Sequence, residues 1–254
     1  MTPSTLRRFA AAATAVLLSL SALSACSAPG GQLDTDRNMA ASCPATALAS
    51  SIYVDSTGSA LNEQNKALNL EAIDRVVDRV AACSGTLSVE AFGSSSGQTV
   101  PIYSGSLSVE APTENAERRK AEKLAGEVSS EIRGHYDRAI SRVHASSTDV
   151  VGLLRLIKEA QTQRPDAVHE VLILTDGFTN VSVDPSSVSS TDDAQALADS
   201  LNVPDLSGVT LRIIGVGRSS TEVPSAVIER VTAFWERLCE RTGASCTVAT
   251  NWQG

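Results

Sequence analysis

The sequence predicts an α/β domain built on an open, doubly wound sheet of about six strands, mostly parallel with one antiparallel edge strand, and helices on both faces. Three observations carry that expectation. Short β-branched runs alternate with segments of helical period along most of the chain, and their links are short, the pattern of parallel strands joined by crossover helices. One pair of runs is separated only by a tight Gly- and Ser-rich turn, which suits an antiparallel pair. The 254 residues are 42% apolar and 20% charged, so a sizeable core can form.

Residues 48–54 form a short apolar run ending at Asp55, the first strand. Residues 62–81 follow as a helix with Leu70, Ile73, Val77 and Val80 at helical spacing, and Ser84-Gly85 stops it. Residues 86–92 and 99–110 read as the second and third strands on either side of the turn at 93–97. A small repeat, GTLSVEA from Gly85 and GSLSVEA from Gly105, supports their pairing as similar strands. Pro112 and Thr113 open a long charged helix. Thr113 is its candidate N-cap, Glu114 and Glu117 occupy its first turn, and Leu124, Val128, Ile132, Ala139 or Ile140, and Val143 form its buried stripe. Gly126 and Gly134 are expected to break it. Beyond it lie a helix at 150–161, a strand at 168–174 and a short helix at 191–200. A β-branched strand at 209–216, an amphipathic helix at 224–239 and a terminal strand at 246–249 complete the chain.

The ends require separate treatment. Arg7 and Arg8 precede an uncharged apolar run that is short for a membrane span and ends in small residues, the pattern of a secretory signal over residues 1–25. Leu23-Ser24-Ala25-Cys26 resembles the lipobox of bacterial lipoproteins. That resemblance implies that Cys26 carries diacylglycerol and fatty acyl and becomes the first mature residue. The chain would then be anchored through lipid on the extracytoplasmic face of a bacterial cell membrane. Residues 26–46 are rich in Ser, Ala, Gly and Pro without periodicity and read as a tether, leaving 47–254 as the domain. Twenty such residues span roughly 25 Å root-mean-square. The remaining cysteines, Cys43, Cys83, Cys239 and Cys246, are even in number in an exported chain and suggest two disulfides. Three pairings are possible; proximity along the chain favours Cys43 with Cys83 and Cys239 with Cys246.

The net charge of −8, which becomes −10 once the two leader arginines are removed, disfavours nucleic-acid binding. The basic cluster Arg118-Arg119-Lys120 is flanked by Glu114, Glu117 and Glu122, so pairing along one helix accounts for it.

In an open α/β sheet, ligands bind outside the carboxyl ends of the strands. The first strand ends in Asp55-Ser56-Thr57-Gly58-Ser59, the fourth in Thr175-Asp176-Gly177, and Ser147-Thr148-Asp149 precedes the helix between them. Two carboxylates and several hydroxyls, with no His or Cys among them, make a hard-oxygen environment suited to Mg²⁺ or Mn²⁺. In this order D-S-T-G-S, the downstream Thr and I-L-T-D-G resemble the von Willebrand factor A (vWA) domain and its metal-ion-dependent adhesion site. Ile213-Ile214-Gly215-Val216-Gly217 looks like that family's fifth strand. The resemblance implies a Rossmann-like sheet. Its metal positions fall on Asp55, Thr57, Ser59, Thr148 and Asp176, the hydroxyls binding one divalent cation directly or nearly so and the two aspartates holding coordinated waters. An open coordination position would accept Asp or Glu from a protein partner. Thr57 stands where the family most often has serine. Little chain follows the sixth strand, so the family's last helix, and switching by its movement, are not expected.

Two other readings compete. Asp55 and Asp176 could merely cap helices and turns in a metal-free scaffold of structural or envelope-assembly type. Metal-assisted hydrolysis at the same loops is the enzyme reading. It is disfavoured because His135, His144 and His169 fall away from the strand ends, the G-x-S-x-G match at Gly93 to Gly97 lies in a turn between two strands and opens no helix as a nucleophile elbow must, and no general base is expected beside Asp55. Gly215-Val216-Gly217 lacks the third glycine of a dinucleotide loop. The polar stretch 178–193, which leaves the strand end beside Asp176, is a candidate partner-reading rim.

Overall fold

The structure, a computed structural model, describes residue 39 and residues 41–95, 97–143 and 147–252. The expectations for the leader, for Cys26, for most of the tether and for His144 fall outside those residues. Among the described residues eleven elements follow one another: β1 (Leu48–Asp55), α1 (Glu63–Ala82), β2 (Thr86–Phe92), β3 (Val100–Ser106), α2 (Glu114–Val143), α3 (Val150–Gln163), β4 (Val168–Leu174), α4 (Thr191–Asp199), β5 (Val209–Ile214), α5 (Ser225–Thr242) and β6 (Ser245–Ala249).

The six strands form one sheet in the order β3-β2-β1-β4-β5-β6. Every neighbouring pair is parallel except β2 with β3, which is antiparallel and bulged between Val89 and Glu90. Alternation along each strand feeds two cores. Ile52, Val54, Leu87, Val89, Leu172 and Leu174 face α1 and α2. Tyr53, Val171, Ile173, Leu211 and Ile213 face α3, α4 and α5 together with Phe234 and Trp235. Because the chain leaves β1 toward β2 and leaves β4 toward β5, the carboxyl ends of β1 and β4 flank the crevice where the strand order reverses.

Side chains set several boundaries. The Asn62 carbonyl caps α1 by accepting from Asn65 N–H at 2.7 Å. Thr113 Oγ1 accepts from Ala116 N–H at 3.3 Å at the start of α2. Contrary to expectation, α2 runs unbroken through Gly126 and Gly134 for 30 residues. Both glycines are exposed and a Cβ on either would meet nothing. Each costs a helix about 1 kcal/mol relative to alanine, and the buried stripe Ala121, Ala125, Val128, Ile132, Tyr136 and Ala139 outweighs that. The third strand stops at Ser106, short of residue 110. Thr86 pairs with Ser106 and Leu87 with Gly105, so the second GSLSVEA copy runs off the sheet edge and does not lie beside the first. Leu107, the first residue past that strand, is fully buried and donates its N–H to Gly85 O at 2.8 Å. β5 likewise ends at Ile214, because Gly215 (φ 110°) and Gly217 (φ 84°) turn the chain out of the sheet.

Disulfides join Cys43 to Cys83 and Cys239 to Cys246, with Cα atoms 5.4 and 5.8 Å apart. The first ties the segment before β1 to the end of α1. There Arg79 also donates to the Ser42 hydroxyl at 2.9 Å and forks onto Glu170 at the start of β4 at 2.7 to 3.0 Å. The compact unit accordingly begins at Met39. Among the described residues no helix is long and apolar enough to cross a membrane.

Candidate functional site

Asp55 is the last residue of β1, and alternation turns its side chain to the face that Tyr53 shares, at the mouth of the crevice. It is 1% exposed, and both of its oxygens are engaged. Oδ1 accepts from Thr57 N–H at 2.9 Å and Thr57 Oγ1–H at 2.7 Å, an Asx-type turn that folds the loop back over the strand end. Oδ2 accepts from Thr175 Oγ1–H at 2.7 Å, which joins the ends of β1 and β4. Thr148 Oγ1 donates to Thr57 Oγ1 at 3.0 Å and brings in the third loop.

The Thr148 loop is itself held on several sides. Thr148 N–H donates to the Asn180 side-chain carbonyl at 2.8 Å, while Thr148 O accepts from Asn180 N–H at 3.2 Å and Thr179 Oγ1–H at 2.9 Å. Asp149, next along, caps α3 through Gly152 N–H at 2.9 Å and donates its own N–H to Gly93 O. The β5–α5 connection pins the first loop: Ser220 N–H donates to Ser59 O at 2.6 Å and Ser220 Oγ–H to Gly58 O at 3.1 Å.

Asp176, 2% exposed, follows Thr175 out of β4. Its Oδ1 accepts from Phe178 N–H at 3.1 Å, whereas its Oδ2 is buried without a hydrogen-bond partner among the described residues. Behind it, at Gly177 (φ 84°), a Cβ would crowd Val231, Val216 and Trp235, and Trp235 Nε1–H donates to Gly177 O at 2.9 Å. Burial raises the Asp176 pKa above the ordinary carboxylate value, an effect opposed by the half-buried Ser59 hydroxyl beside it and by Phe178 N–H. Burial, and then the charge of Asp176, push Asp55 up to about 6, against the hydroxyls of Thr175 and Thr57.

The structure therefore gathers all five residues expected from the sequence: Asp55, Thr57 and Thr148 in one hydrogen-bonded chain, Asp176 and Ser59 adjoining it. Sequence reasoning missed two partners. Thr175 lies inside the T-D-G motif and is the hydroxyl that bridges β1 and β4; its position directly after an apolar strand was the available signal. Asn180, which brackets Thr148, sits in the polar stretch 178–193 and had no local signature. Part of that stretch thus braces the site. Another part packs inward: Val183 and Val188 lie against the second core, and Arg230 donates to Ser186 O at 3.2 Å. The described histidines lie elsewhere: His135 meets Ile102 O at 3.3 Å and His169 meets Arg164 O at 3.0 Å.

The residues present fit a hard divalent cation. The donors are all oxygen, and one buried carboxylate oxygen is left without a partner, the state a cation or its water would relieve. Among the described residues no cluster of three or more His, Cys, Asp or Glu could hold a metal, so hydroxyls must supply much of any ligand set.

No protein-family model matches the chain, and no curated protein matches it significantly. Several solved structures are similar. Proximal thread matrix protein 1 from the mussel byssus is 16% identical over 78% of this chain and 48% of its own, with a TM-score of 0.38. An aerotolerance-related membrane protein from Bacteroides fragilis is 10% identical over 82% of this chain and 92% of its own, with a TM-score of 0.39. A von Willebrand factor type A structure from Catenulispora acidiphila is 16% identical over 79% of this chain and 43% of its own, with a TM-score of 0.34. This chain spans less than half the length of the mussel and Catenulispora chains. By its own strand order, its single antiparallel edge and the helices on both faces, the chain is an open, doubly wound α/β domain.

Proposed function

We propose that the chain is a membrane-anchored, extracytoplasmic binding module that holds one Mg²⁺ or Mn²⁺ at the crevice and captures a protein partner through an Asp or Glu side chain. The observation that carries this reading is the convergence of three loops, distant in sequence, on two buried carboxylates to which no basic side chain is hydrogen-bonded among the described residues. Thr57, Ser59 and Thr148 would hold the cation, with Asp55 and Asp176 orienting its waters. A cation bound there supplies a Lewis-acidic face with room for an outside carboxylate. The chain's own residues set the frame: Thr175 and Thr57 fix Asp55, Asn180 fixes Thr148, and Ser220 fixes the Ser59 turn. Arg7-Arg8, the apolar run and Leu23-Ser24-Ala25-Cys26 support a lipid anchor on Cys26.

Calorimetric titration of Mn²⁺ tests the site. Wild type should take up one ion, and Thr148→Ala or Asp176→Ala should take up none while keeping the wild-type circular dichroism; equal uptake by wild type and both variants would remove the assignment. Labelled fatty acid should appear on wild type and vanish in Cys26→Ser. A second reading, a metal-free scaffold, is favoured by one observation: both Asp55 oxygens and the Thr148 hydroxyl are already satisfied within the chain. Capture of a partner from envelope extract separates the two, since the first reading loses it in chelator and the second does not. Turnover of phosphoesters in Mg²⁺ would favour the hydrolase reading instead.

A further inference from the structure

Beside Asp176, on the α1 side of the sheet, lies a cavity of about 10 Å³ whose lining includes Thr175, Asp176, Asn65, Asn69, Gly215 and Arg218. That is close to the space of one water. Two of its walls carry buried polar atoms without partners among the described residues, and they are of opposite charge: Asp176 Oδ2 and Arg218 Nε. Arg218 is held by one guanidinium bond and two backbone bonds. Its Nη2 donates to Asn69 Oδ1 at 3.3 Å, Arg218 N–H donates to Gly215 O at 2.8 Å, and Arg218 O accepts from Asn65 Nδ2 at 2.6 Å. A Cβ on Gly215 would come within 2.8 Å of Arg218 Nη2, so a larger residue there would leave this pose no room. A half-buried guanidinium with an unused donor and a buried carboxylate with an unused acceptor line the same cavity, and each is costly unless something there satisfies it.

We propose that Arg218 is the resident counter-charge of the candidate cation site, joined to Asp176 across this cavity by one ordered water that accepts from Nε–H and donates to Oδ2. The device has a function at each stage of loading. Without a cation, Arg218 offsets one of the two buried negative charges and keeps the crevice folded. With a divalent cation present, the cluster of Asp55, Asp176, Arg218 and ion carries one net positive charge, where the acids and ion alone would be neutral. Arg218 therefore weakens cation retention and strengthens the pull on an acidic partner. The charge coupling stands on the cavity and its two unpartnered atoms; its consequence for cation affinity rests on the cation-site reading.

A double-mutant cycle in chelator tests the coupling. Arg218→Met should lower the urea midpoint in the wild-type background and leave it nearly unchanged in an Asp176→Asn background. An equal drop in both backgrounds would overturn the proposal. If Arg218→Met does not fold, Arg218→Gln carries the same cycle. Mn²⁺ calorimetry tests the consequence: Arg218→Met should bind roughly three- to tenfold more tightly than wild type, and Arg218→Lys close to wild type. Unchanged or weaker binding by Arg218→Met would overturn the role in cation retention. Failure of wild type to bind Mn²⁺ at all would instead defeat the cation-site reading and leave the cycle to decide the coupling.

Discussion

The two ends of the sheet treat buried charge in opposite ways. At the amino ends of the strands, Glu170 meets Arg79 in a fork of three hydrogen bonds, with Arg212 4.0 Å away, and a disulfide locks the adjoining segment to α1. At the carboxyl ends, Asp55 and Asp176 are bonded, among the described residues, only to hydroxyls and backbone, and Asp176 Oδ2 meets no opposite charge directly, its proposed link to Arg218 running through a water. In the first arrangement each charge meets its opposite, so attraction offsets the cost of desolvation and removing either partner would strand the other. The second raises the free energy of the fold, because desolvation and mutual repulsion both act on the acids. Polar burial that opposes stability is what the proposed cation site requires.

The largest expected effect lies at the paired end. Replacing Cys43 and Cys83 by serine opens a loop of 40-residue separation and should cost about 2–4 kcal/mol in urea unfolding without changing Mn²⁺ uptake. A smaller and more telling pair of variants removes one charge at each end. Arg79→Met strands Glu170, whose side chain is 12% exposed, and should destabilise by about 1–3 kcal/mol. Asp176→Asn keeps an acceptor for Phe178 N–H and removes a charge that repels Asp55, but it also takes the opposite charge away from Arg218, so in chelator it should destabilise by less than Arg79→Met. A smaller loss at the carboxyl end sharpens the contrast between the ends, and equal losses would break it.

Acidity gives a third, weaker test. Asp55 has a folded-state pKa raised from 3.8 to about 6, so between those values the folded chain holds a proton that the unfolded chain releases. Its contribution to stability is therefore greatest below pH 3.8, falls as pH rises to about 6, and is flat above. Denaturant midpoints in chelator across that window should show the fall, with Asp176→Asn showing less of it because the second cause of the shift is gone. The smallest effect belongs to Gly126→Ala and Gly134→Ala, each expected to add up to about 1 kcal/mol on the exposed side of α2.

The contrast also marks what could be read from the chain alone. Strand positions and the acid-and-hydroxyl loops were legible, because period-two alternation and strand-end motifs are local signals. So was the pairing of the cysteines, for which proximity along the chain sufficed. The run of α2 through two glycines was not, since the stripe that holds it acts through packing against β2 and β3, where propensity has no voice. Nor was the end of β3 at Ser106: the repeated heptapeptide looked like a strand twice, and only burial of Leu107 shows the second copy turning away. Arg218 and Asn180 were invisible for a related reason. They reach the site from loops after β5 and β4, and nothing in Gly-Arg-Ser or Thr-Asn-Val says that a guanidinium lines the cavity beside an aspartate, or that an amide brackets a threonine.

The central claim is that the carboxyl end of this sheet is unfinished without a cation. A Mn²⁺-soaked crystal examined by anomalous scattering measures this most directly. The account predicts a single strong peak among Thr57, Ser59, Thr148 and the two aspartates, absent from crystals kept in chelator. Bare density there at millimolar Mn²⁺, with the hydroxyl chain from Thr148 to Asp55 intact, would contradict it.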